Sequence, residues 1–413
     1  MVCFKCSANR WTAAVQPVRP PSYTSPHHFY FVAMPSTSVL FKPLEIGDIT
    51  IPNRITLAAL TRNRALGTVP NDIIKDYYLQ RADAGLIVTE GVLVSRQGSE
   101  WPHAPGIWNE EQVQEWKKIV DAIHAVGGHV YCQLWCVGRV CHPDAPEQKL
   151  AGVPVWGPSA IAARGGKFRH IPGMPGYVTP VEIPDPWTIV DEFRKAAFNA
   201  KAAGFDGVEM HGANGYIISQ FLDNTVNKRT DEWGGSVENR CRLGLEIIKA
   251  VKEAFGRNVA IKLSPCGGYN DMGMSIEDTL ETFGYFILEA DELGLAYICL
   301  LRYISQLDYK YDGQPRSTYH DVLGCYGRLI KNCKVMINGN VLPEEGAQLI
   351  NAGLVDFISI GIPYISHPDL VRRVKYGKLF NNALDIPHMQ WVEGRENQRI
   401  GYTDYPEAHY EDD

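Results

Sequence analysis

Eight short apolar runs, each followed by a longer amphipathic segment, constrain the fold of this chain more than any other feature. Near-continuous apolar runs are typical of parallel strands that are buried on both faces, and the amphipathic segments predict the helices that cover such a sheet. The runs are ITLAA (55–59), LIVTEGVLV (86–94), HVYCQLW (129–135), GVEMH (207–211), VAIKLSP (259–265), AYICLLR (296–302), VMINGN (335–340) and FISIG (357–361).

Eight such units predict an α/β protein with a (β/α)8 TIM barrel. The stretch from about 137 to 186, after the third run, is rich in Pro and Gly and too long for an ordinary connection, so we expect a cap over the barrel mouth. We therefore expect residues 35–413 to form a single barrel domain with this cap. A doubly wound open sheet is the alternative topology, but no GxGxxG motif follows the first run to support it.

Residues 1–34 differ from the rest of the chain, because they contain no Asp or Glu and include the Pro-rich stretch PVRPPSYTSP. The prolines oppose the amphipathic helix of an organelle transit segment. A disordered N-terminal extension is therefore the simpler interpretation. At the other end of the chain, the acidic EAHYEDD (407–413) is expected to be a solvated tail.

Composition excludes several classes of function. The formal net charge is -7, which argues against a nucleic-acid-binding or anionic membrane surface. No apolar stretch approaches the roughly 18–20 residues of a membrane span. The ten cysteines form no disulfide or metal pattern, since CxxC at Cys3–Cys6 has no second pair, so free thiols in a reducing compartment are expected. We expect a soluble, cytoplasmic protein without a metal site.

Polar side chains and glycines collect where the eight runs end. The carboxyl ends of barrel strands form one face, which holds the active site in TIM-barrel enzymes, so these residues are expected to build one ligand site. The fourth run is the most distinctive, because MHGANGY (210–216) sets three hydrogen-bonding side chains among small residues. The set comprises Ala59, Thr61, Glu90, Gly91, Gln133, Trp135, His211, Asn214, Tyr216, Lys262, Arg302, Asn338, Gly339, Asn340 and Gly361.

Two glycines of this set follow the seventh and eighth runs, where barrel enzymes commonly bind phosphate. Gly339 and Gly361 would let backbone N–H groups approach an anion. A ligand that carries phosphate is one interpretation of this pattern. Two tight turns without a ligand are the other.

Longer motifs carry a resemblance to a known family. The sequence resembles the old yellow enzymes, FMN-dependent ene-reductases that include plant oxophytodienoate reductases and fungal relatives. The resemblance covers residues 40–406 in order, and HGANGY together with NKRTDEWGGSVENR is its most specific part. The matching stretches are LFKPLEIGDITIPNRI (40–55), LTRNRA (60–65), YYLQRADAGLIVTEG (77–91), PGIWNEEQVQEWKKIVDAIHAVGG (105–128), QLWCVGR (133–139), AGFDGVEMHGANGYIISQFL (203–222), NKRTDEWGGSVENRCR (227–242), KLSP (262–265), HPDL (367–370) and GYTDYP (401–406).

The resemblance implies a barrel that binds FMN, takes electrons from NADPH and reduces the activated C=C bond of an α,β-unsaturated carbonyl compound. It places Thr61 at the flavin C4 carbonyl, Gly91 and Gln133 at the pyrimidine edge, and Lys262 beside the N1/C2 carbonyl. The other positions that it assigns to the FMN site are Ala59, Gly339, Asn340, Gly361 and Ile362. It implies a small-molecule enone as partner, and a monomer or homodimer as the assembly.

For the substrate, the resemblance places His211 and Asn214 at the carbonyl oxygen and makes Tyr216 the proton donor. The chemistry supports these residue types, because two neutral donors stabilise the enolate that forms on reduction. A phenol can then supply the α-carbon proton as a general acid. Trp135 follows the third run, where a pocket wall and ordinary core packing are both compatible with the sequence.

Three positions depart from the family pattern. The family usually carries Pro at Ala59 and Arg at both Lys262 and Ile362, and the last of these arginines ordinarily holds the FMN phosphate. An alternative function follows: a divergent member with weakened or lost FMN that isomerises, cyclises or only binds an enone-type metabolite. A phosphosugar-type barrel enzyme is more distant, because no pair of acid/base carboxylates is present at the strand ends.

Overall fold

Eight parallel strands close into a barrel, which confirms the predicted fold class. The computed structural model describes residues 36–168, 171–316, 318–390, 394 and 397–411. The predicted extension 1–34 lies outside the described residues. The barrel strands are β1 (Ile55–Leu57), β2 (Leu86–Leu93), β3 (Val130–Trp135), β4 (Gly207–Gly212), β5 (Val259–Leu263), β6 (Tyr297–Leu301), β7 (Lys334–Asn338) and β8 (Phe357–Ile360).

Each strand pairs with the next in chain order, and β8 pairs with β1 to close the ring. The helices between and after the strands are α1 (Asp72–Leu79), α2 (Glu110–Ala125), α3 (Trp187–Ala202), α4 (Val237–Phe255), α5 (Ile276–Glu292), α6 (Val322–Tyr326), α7 (Pro343–Asn351) and α8 (Leu370–Lys375). Short helices at Pro146–Ala151, Ile217–Leu222 and Ile362–Ser366 lie in the connections.

Side-chain caps explain where several helices begin. Asn109 accepts a hydrogen bond from the Gln112 N–H while the Gln112 side chain accepts one from the Asn109 N–H, a capping box at α2. Ser275 caps α5, because its hydroxyl accepts a hydrogen bond from the Asp278 N–H at 3.1 Å. The amphipathic segment after the sixth apolar run predicts a helix over residues 319–331. The helix is much shorter, since α6 spans five residues and a 3-10 turn follows at Gly327–Leu329. Two glycines in seven residues weaken helix propensity there.

The N-terminal end of the barrel is filled and covered. Aromatic rings fill its interior, with Tyr131 stacked on Tyr297 at 6.0 Å and Tyr297 in edge contact with Phe357 at 5.3 Å. An antiparallel hairpin, Leu44–Ile46 with Ile49–Ile51, packs its buried side chains against this layer. The opposite end, at the carboxyl termini of the strands, is therefore where a ligand site can form.

The insertion after β3 contributes to that end. It holds the helix Pro146–Ala151 and a two-residue parallel pair, Trp156–Gly157 with Val181–Glu182. Its buried apolar side chains, Phe168 among them, join one cluster with Trp135 and Tyr216.

The C-terminal segment packs on the barrel, so the prediction of a solvated tail is wrong for its described part. The Tyr410 hydroxyl and the Ala408 N–H both donate to the Asp369 carboxylate at 2.7 Å, and Glu407 pairs with Arg372 at 2.9 Å. Further upstream, backbone carbonyls of the segment accept hydrogen bonds from Arg62 and Arg64 of the loop after β1.

No helix within the described residues is long and apolar enough to cross a membrane.

Candidate active site

Strand register brings the predicted site residues together at one end of the barrel. Gly91 pairs with Gln133 between β2 and β3, and His211 pairs with Lys262 between β4 and β5. Thr61 follows β1 on the same face. The residues that follow β7 and β8 in turn, Gly339, Asn340, Gly361 and Ile362, lie at the corresponding ends of their strands.

Three rings pack against one another at the end of β3 and β4. The His211 ring lies 4.8 Å from Tyr216 and the Trp135 ring lies 5.0 Å from Tyr216, centroid to centroid, both edge to face. Trp135 and His211 are 6.3 Å apart. Trp135 is almost fully buried, and its indole N–H has no hydrogen-bond partner among the described residues. The sequence is compatible with Trp135 as a pocket wall or as ordinary core packing. In the structure, Trp135 packs against His211 and Tyr216.

The neighbouring backbone fixes the tautomer of His211. The Ala213 N–H donates to His211 Nδ1 at 3.4 Å, so Nδ1 is the acceptor and the ring proton is on Nε2. Burial, reinforced by Lys262, lowers the pKa of His211 well below its ordinary value. The imidazole is therefore neutral near pH 7 and can donate through Nε2.

Asn214 stands in the left-handed region of the backbone, with φ +59°, a conformation that Asn tolerates better than most residues. Its N–H donates to the Ser264 hydroxyl at 2.8 Å, which ties the turn to the end of β5. Asn214 lines a cleft with Ser264, Pro265 and Tyr269, and its side chain makes no hydrogen bond to a described residue. The amide is thus available to a ligand.

Tyr216 is 7% exposed and stands immediately before the short helix Ile217–Leu222. Burial raises the pKa of its hydroxyl well above the ordinary value, while the Asn270 amide lowers it. The phenol therefore keeps its proton at neutral pH, as a general acid must.

Below these residues a buried polar group forms the floor of the site. Glu209 accepts from the Gln133 amide at 2.7 Å and from the Tyr297 hydroxyl at 2.9 Å. Burial raises the pKa of Glu209, and the nearby Lys262 lowers it. Lys262 is 7% exposed and has no hydrogen bond or ion pair with a described residue, so its ammonium is free to meet an electron-rich ligand.

Space around two glycines tests whether a flavin fits. A Cβ on Gly91 would come within 2.6 Å of the Trp135 ring, so protein packing alone demands that glycine. A Cβ on Gly361 would meet only Leu60 and Ala58 at ordinary contact distances, and its φ of −103° is open to any residue. The protein thus leaves a space at Gly361 that a side chain would fill, which suits close approach of a ligand.

The available donors also match a flavin. Thr61, half-buried beside the inner barrel residue Ala59, has no hydrogen bond to a described residue. With Lys262 it would face the ring system, and the N–H groups near Gly339 and Gly361 would face the phosphate. The residues present therefore fit FMN, although the Gln133 amide N–H is already bonded to Glu209.

On the phosphate side, Ile362 is 54% exposed, a large apolar side chain where the resemblance places arginine. The nearby Arg302 bonds to the Gly339 carbonyl at 3.1 Å and pairs with Glu345 at 2.5 Å. Arg302 is therefore engaged with the loop after β7 and with α7.

Two residues of this region were not predicted from the sequence. Asn270 lies on the loop after β5, and its side chain bonds to the Asn214 backbone and to Tyr177 of the insertion. The motif KLSP marks where this loop begins. No sequence pattern indicates that residues 177, 214 and 270 meet.

Comparisons with known proteins agree with this geometry. Residues 39–381 match the NADH:flavin oxidoreductase / NADH oxidase family. The chain is 37% identical over 388 residues to 12-oxophytodienoate reductase 7 of Oryza sativa subsp. japonica, covering 89% of this chain and 94% of the relative. It is 36% identical over 389 residues to a probable inactive reductase, easA, of Epichloe festucae var. lolii, covering 90% and 96%. The old yellow enzyme homologue of Zymomonas mobilis superposes with a TM-score of 0.80 at 32% identity, covering 89% and 99%.

Proposed function

The chain belongs to the NADH:flavin oxidoreductase family of old yellow enzymes and is an FMN-dependent ene-reductase, and on this premise we propose how its own residues perform the reaction. The proposed substrate is an α,β-unsaturated carbonyl compound, held through its carbonyl oxygen by His211 and Asn214. Tyr216 supplies the proton. The electrons come from NAD(P)H.

The observation that carries this proposal is the edge-to-face packing of the buried His211 and Tyr216 rings. His211 is a neutral donor with its proton on Nε2, and Tyr216, 4.8 Å away ring to ring, retains a proton at neutral pH. The carbonyl group of a bound substrate can therefore contact both the donor His211 and the general acid Tyr216. The free amide of Asn214 adds the second donor.

When bound, FMN supplies the redox chemistry, since it accepts two electrons from NAD(P)H and delivers them to the β-carbon. Thr61, Gly91, Gln133 and Lys262 would hold its ring system. As negative charge forms on the carbonyl oxygen, His211 and Asn214 stabilise it, in the manner of an oxyanion hole. Tyr216 then protonates the α-carbon from its hydroxyl.

The insertion would restrict access to this wall. Phe168 of the insertion packs in the same apolar cluster as Trp135 and Tyr216, which supports a cap on this side of the site. Exclusion of water strengthens hydrogen bonds to the developing enolate. We therefore assign residues 137–186 the role of a cap in the single domain 35–413.

The test separates the two halves of the catalytic cycle. Purified protein should be yellow, lose its colour with NADPH under anaerobic conditions, and regain it with 2-cyclohexenone. Tyr216→Phe should slow recolouring by roughly 10²-fold or more, the usual contribution of a positioned acid, and leave bleaching by NADPH nearly unchanged. Tyr410→Phe, which removes a buried hydroxyl of the C-terminal segment, is the matched control and should leave both steps unchanged.

Equal loss of both steps in Tyr216→Phe would contradict the role of Tyr216.

A second candidate function is favoured by the exposed Ile362, which leaves the phosphate side without the arginine of the family. In that case the protein isomerises, cyclises or only binds an enone-type metabolite, without net reduction. A colourless protein that excess FMN does not reconstitute would establish the second candidate over the first.

A further inference from the structure

We propose that Glu209 is a positioning residue for the cofactor: its carboxylate holds the Gln133 amide so that the amide oxygen is presented to the N3–H group of the flavin. The inference rests on the proposed function, which places FMN at Gln133. It gives a role to a buried carboxylate that lies inside the barrel, below the residues that meet the substrate.

Strand register places Glu209 beside Gln133 and below His211. Gln133 of β3 pairs with Glu209 of β4, and paired residues of neighbouring strands point their side chains to the same face of the sheet. His211 lies two residues further along β4, so its side chain points to that face as well, nearer the carboxyl end of the barrel. Glu209 therefore faces the interior of the barrel, beneath the ligand site.

Two hydrogen bonds hold the Glu209 carboxylate. The Gln133 Nε2 group donates to Glu209 Oε1 at 2.7 Å, and the Tyr297 hydroxyl donates to Glu209 Oε2 at 2.9 Å. Glu209 and Gln133 are each 2% exposed and Tyr297 is fully buried, so both bonds are shielded from water. The Tyr297 ring is itself fixed, because it stacks on Tyr131 and contacts Phe357 edge to face. The carboxylate is thus anchored to the aromatic layer that fills the barrel.

The carboxylate determines which end of the Gln133 amide faces it. Both of its oxygens accept hydrogen bonds, whereas an amide donates at its nitrogen and accepts at its oxygen. The nitrogen end of the Gln133 side chain therefore faces Glu209, and the oxygen end faces away from it. The backbone N–H of Gln133 also donates to the Thr89 hydroxyl at 3.0 Å, which fixes the strand at this residue.

The Gln133 amide oxygen is left for a ligand. It accepts no hydrogen bond from any residue that the structure describes. An acceptor in so buried a side chain is costly to leave unpaired, so a ligand that donates to it gains affinity. Oxidised flavin has its ring N–H at N3, between the C2 and C4 carbonyl groups, and this donor matches an amide that offers its oxygen. If the amide were reversed, its N–H groups would meet the flavin N–H, and donor would face donor.

Titration of the apoprotein with FMN and with 3-methyl-FMN, which lacks the N3–H group, tests the inference. Flavin fluorescence gives both dissociation constants. Glu209→Leu removes the acceptor, so the Gln133 amide is free to turn. The variant should bind FMN about tenfold more weakly, since one hydrogen bond contributes up to roughly this factor, and should bind 3-methyl-FMN with nearly unchanged affinity. An equal loss for the two ligands would show a general loss of packing and overturn the inference.

The decisive arm places Glu209→Leu in the Gln133→Leu background. If Glu209 acts through the Gln133 amide, its loss there has no further effect on the affinity for FMN. An undiminished loss in that background would show that Glu209 acts by its charge on the nearby Lys262, and would overturn the inference. If Gln133→Leu alone leaves the affinity for FMN unchanged, the placement of FMN at Gln133 fails, and the inference fails with it.

A nearly isosteric variant, Glu209→Gln, keeps the test informative if the leucine variant does not fold. Its amide can donate as well as accept, so it no longer dictates the orientation of Gln133, and the preference for FMN over 3-methyl-FMN should fall about twofold. Tyr131→Phe is the matched control, because it removes a hydroxyl of the same layer that has no hydrogen-bond partner among the described residues. The control should keep the wild-type preference. A wild-type preference in either folded variant of Glu209 would contradict the positioning role.

Discussion

At the residue scale, burial acts on His211 and Tyr216 in opposite ways and leaves both side chains neutral. It lowers the pKa of the imidazole and raises the pKa of the phenol, because a dry environment disfavours the charged form of either group. In the proposed reaction a neutral donor would hold the substrate oxygen without attracting a permanent anion. The negative charge of the enolate is thus met only when it develops, which is the condition for lowering a barrier.

The replacement at Ile362 yields a prediction about cofactor affinity. Ile362→Arg should lower the dissociation constant for FMN about ten- to a hundredfold, because a charge-assisted bond to phosphate contributes about 1.5–3 kcal/mol. Ile362 is 54% exposed, so the longer side chain has room. Flavin fluorescence during titration of the apoprotein measures the constant.

Riboflavin, which lacks the phosphate, is the control ligand for this variant. Its affinity should be the same in wild type and in Ile362→Arg. An equal gain for riboflavin and FMN would mean that the new arginine acts on the loop and not on the phosphate.

At the scale of elements, the loop that carries Thr61 is anchored by the C-terminal segment. Arg64 is 4% exposed and donates to the His388 carbonyl at 2.6 Å and the Gln398 carbonyl at 2.9 Å. Arg62 donates to the Gly401 carbonyl at 2.6 Å. Both guanidinium groups also lie over the Tyr402 ring, that of Arg62 at 4.9 Å from the ring centroid and that of Arg64 at 4.3 Å. The planar fork of arginine reaches several carbonyls at once, which an ammonium cannot do.

Arg64→Lys should therefore destabilise the protein. We expect the free energy of unfolding to fall by about 2–4 kcal/mol, because buried carbonyls lose their donors. Urea denaturation measures the change. Arg194→Lys, at a partly exposed site that pairs with Glu253, is the matched control and should cost less than about 1 kcal/mol. Equal losses in the two variants would mean that the anchoring is not specific.

Secondary structure is predicted correctly from the sequence where the pattern of apolar residues determines it, as in the barrel strands. All eight apolar runs are strands, within a few residues, since a parallel barrel strand is apolar on both faces. The prediction is wrong for the helix over 319–331, where two glycines weaken helix propensity. It is also wrong for the tail at 407–410, which hydrogen bonds to Asp369 hold on the barrel. The contact between Tyr177 and Asn270 was equally beyond prediction, because it joins two irregular segments 93 residues apart.

At the scale of the whole molecule, burial also raises the pKa of several carboxyl groups away from the ring cluster. Glu90, Glu192 and Asp83 each have a pKa raised to about 7, with burial as the largest cause. A carboxyl whose pKa is raised in the folded state contributes stability that is fully present below its unfolded pKa. That stability is lost as the pH rises through the folded value. The loss falls between pH 4.5 and about pH 7 for Glu90 and Glu192, and between pH 3.8 and about pH 7 for Asp83.

Glu192→Gln isolates one such group. Glu192 accepts a hydrogen bond from the Gln97 amide at 2.7 Å, which a glutamine oxygen can also accept. The variant should be more stable than wild type by on the order of 2 kcal/mol at pH 8, because it buries no ionised carboxylate. The difference should shrink as the pH falls toward 4.5. Thermal unfolding followed at several pH values measures it, and a difference independent of pH would contradict the assignment.

Because the chain is synthesised from its N-terminus, Arg64 is made well before the carbonyl groups that anchor it. Its guanidinium and the His388 carbonyl are 324 residues apart in sequence. At translation rates of about 5–20 residues per second, roughly 16–65 s separate the synthesis of the two partners. Throughout that interval the loop with Thr61 exists without the acceptors that immobilise it. The loop that carries Thr61 can therefore reach its anchored position only after residue 388 has been synthesised.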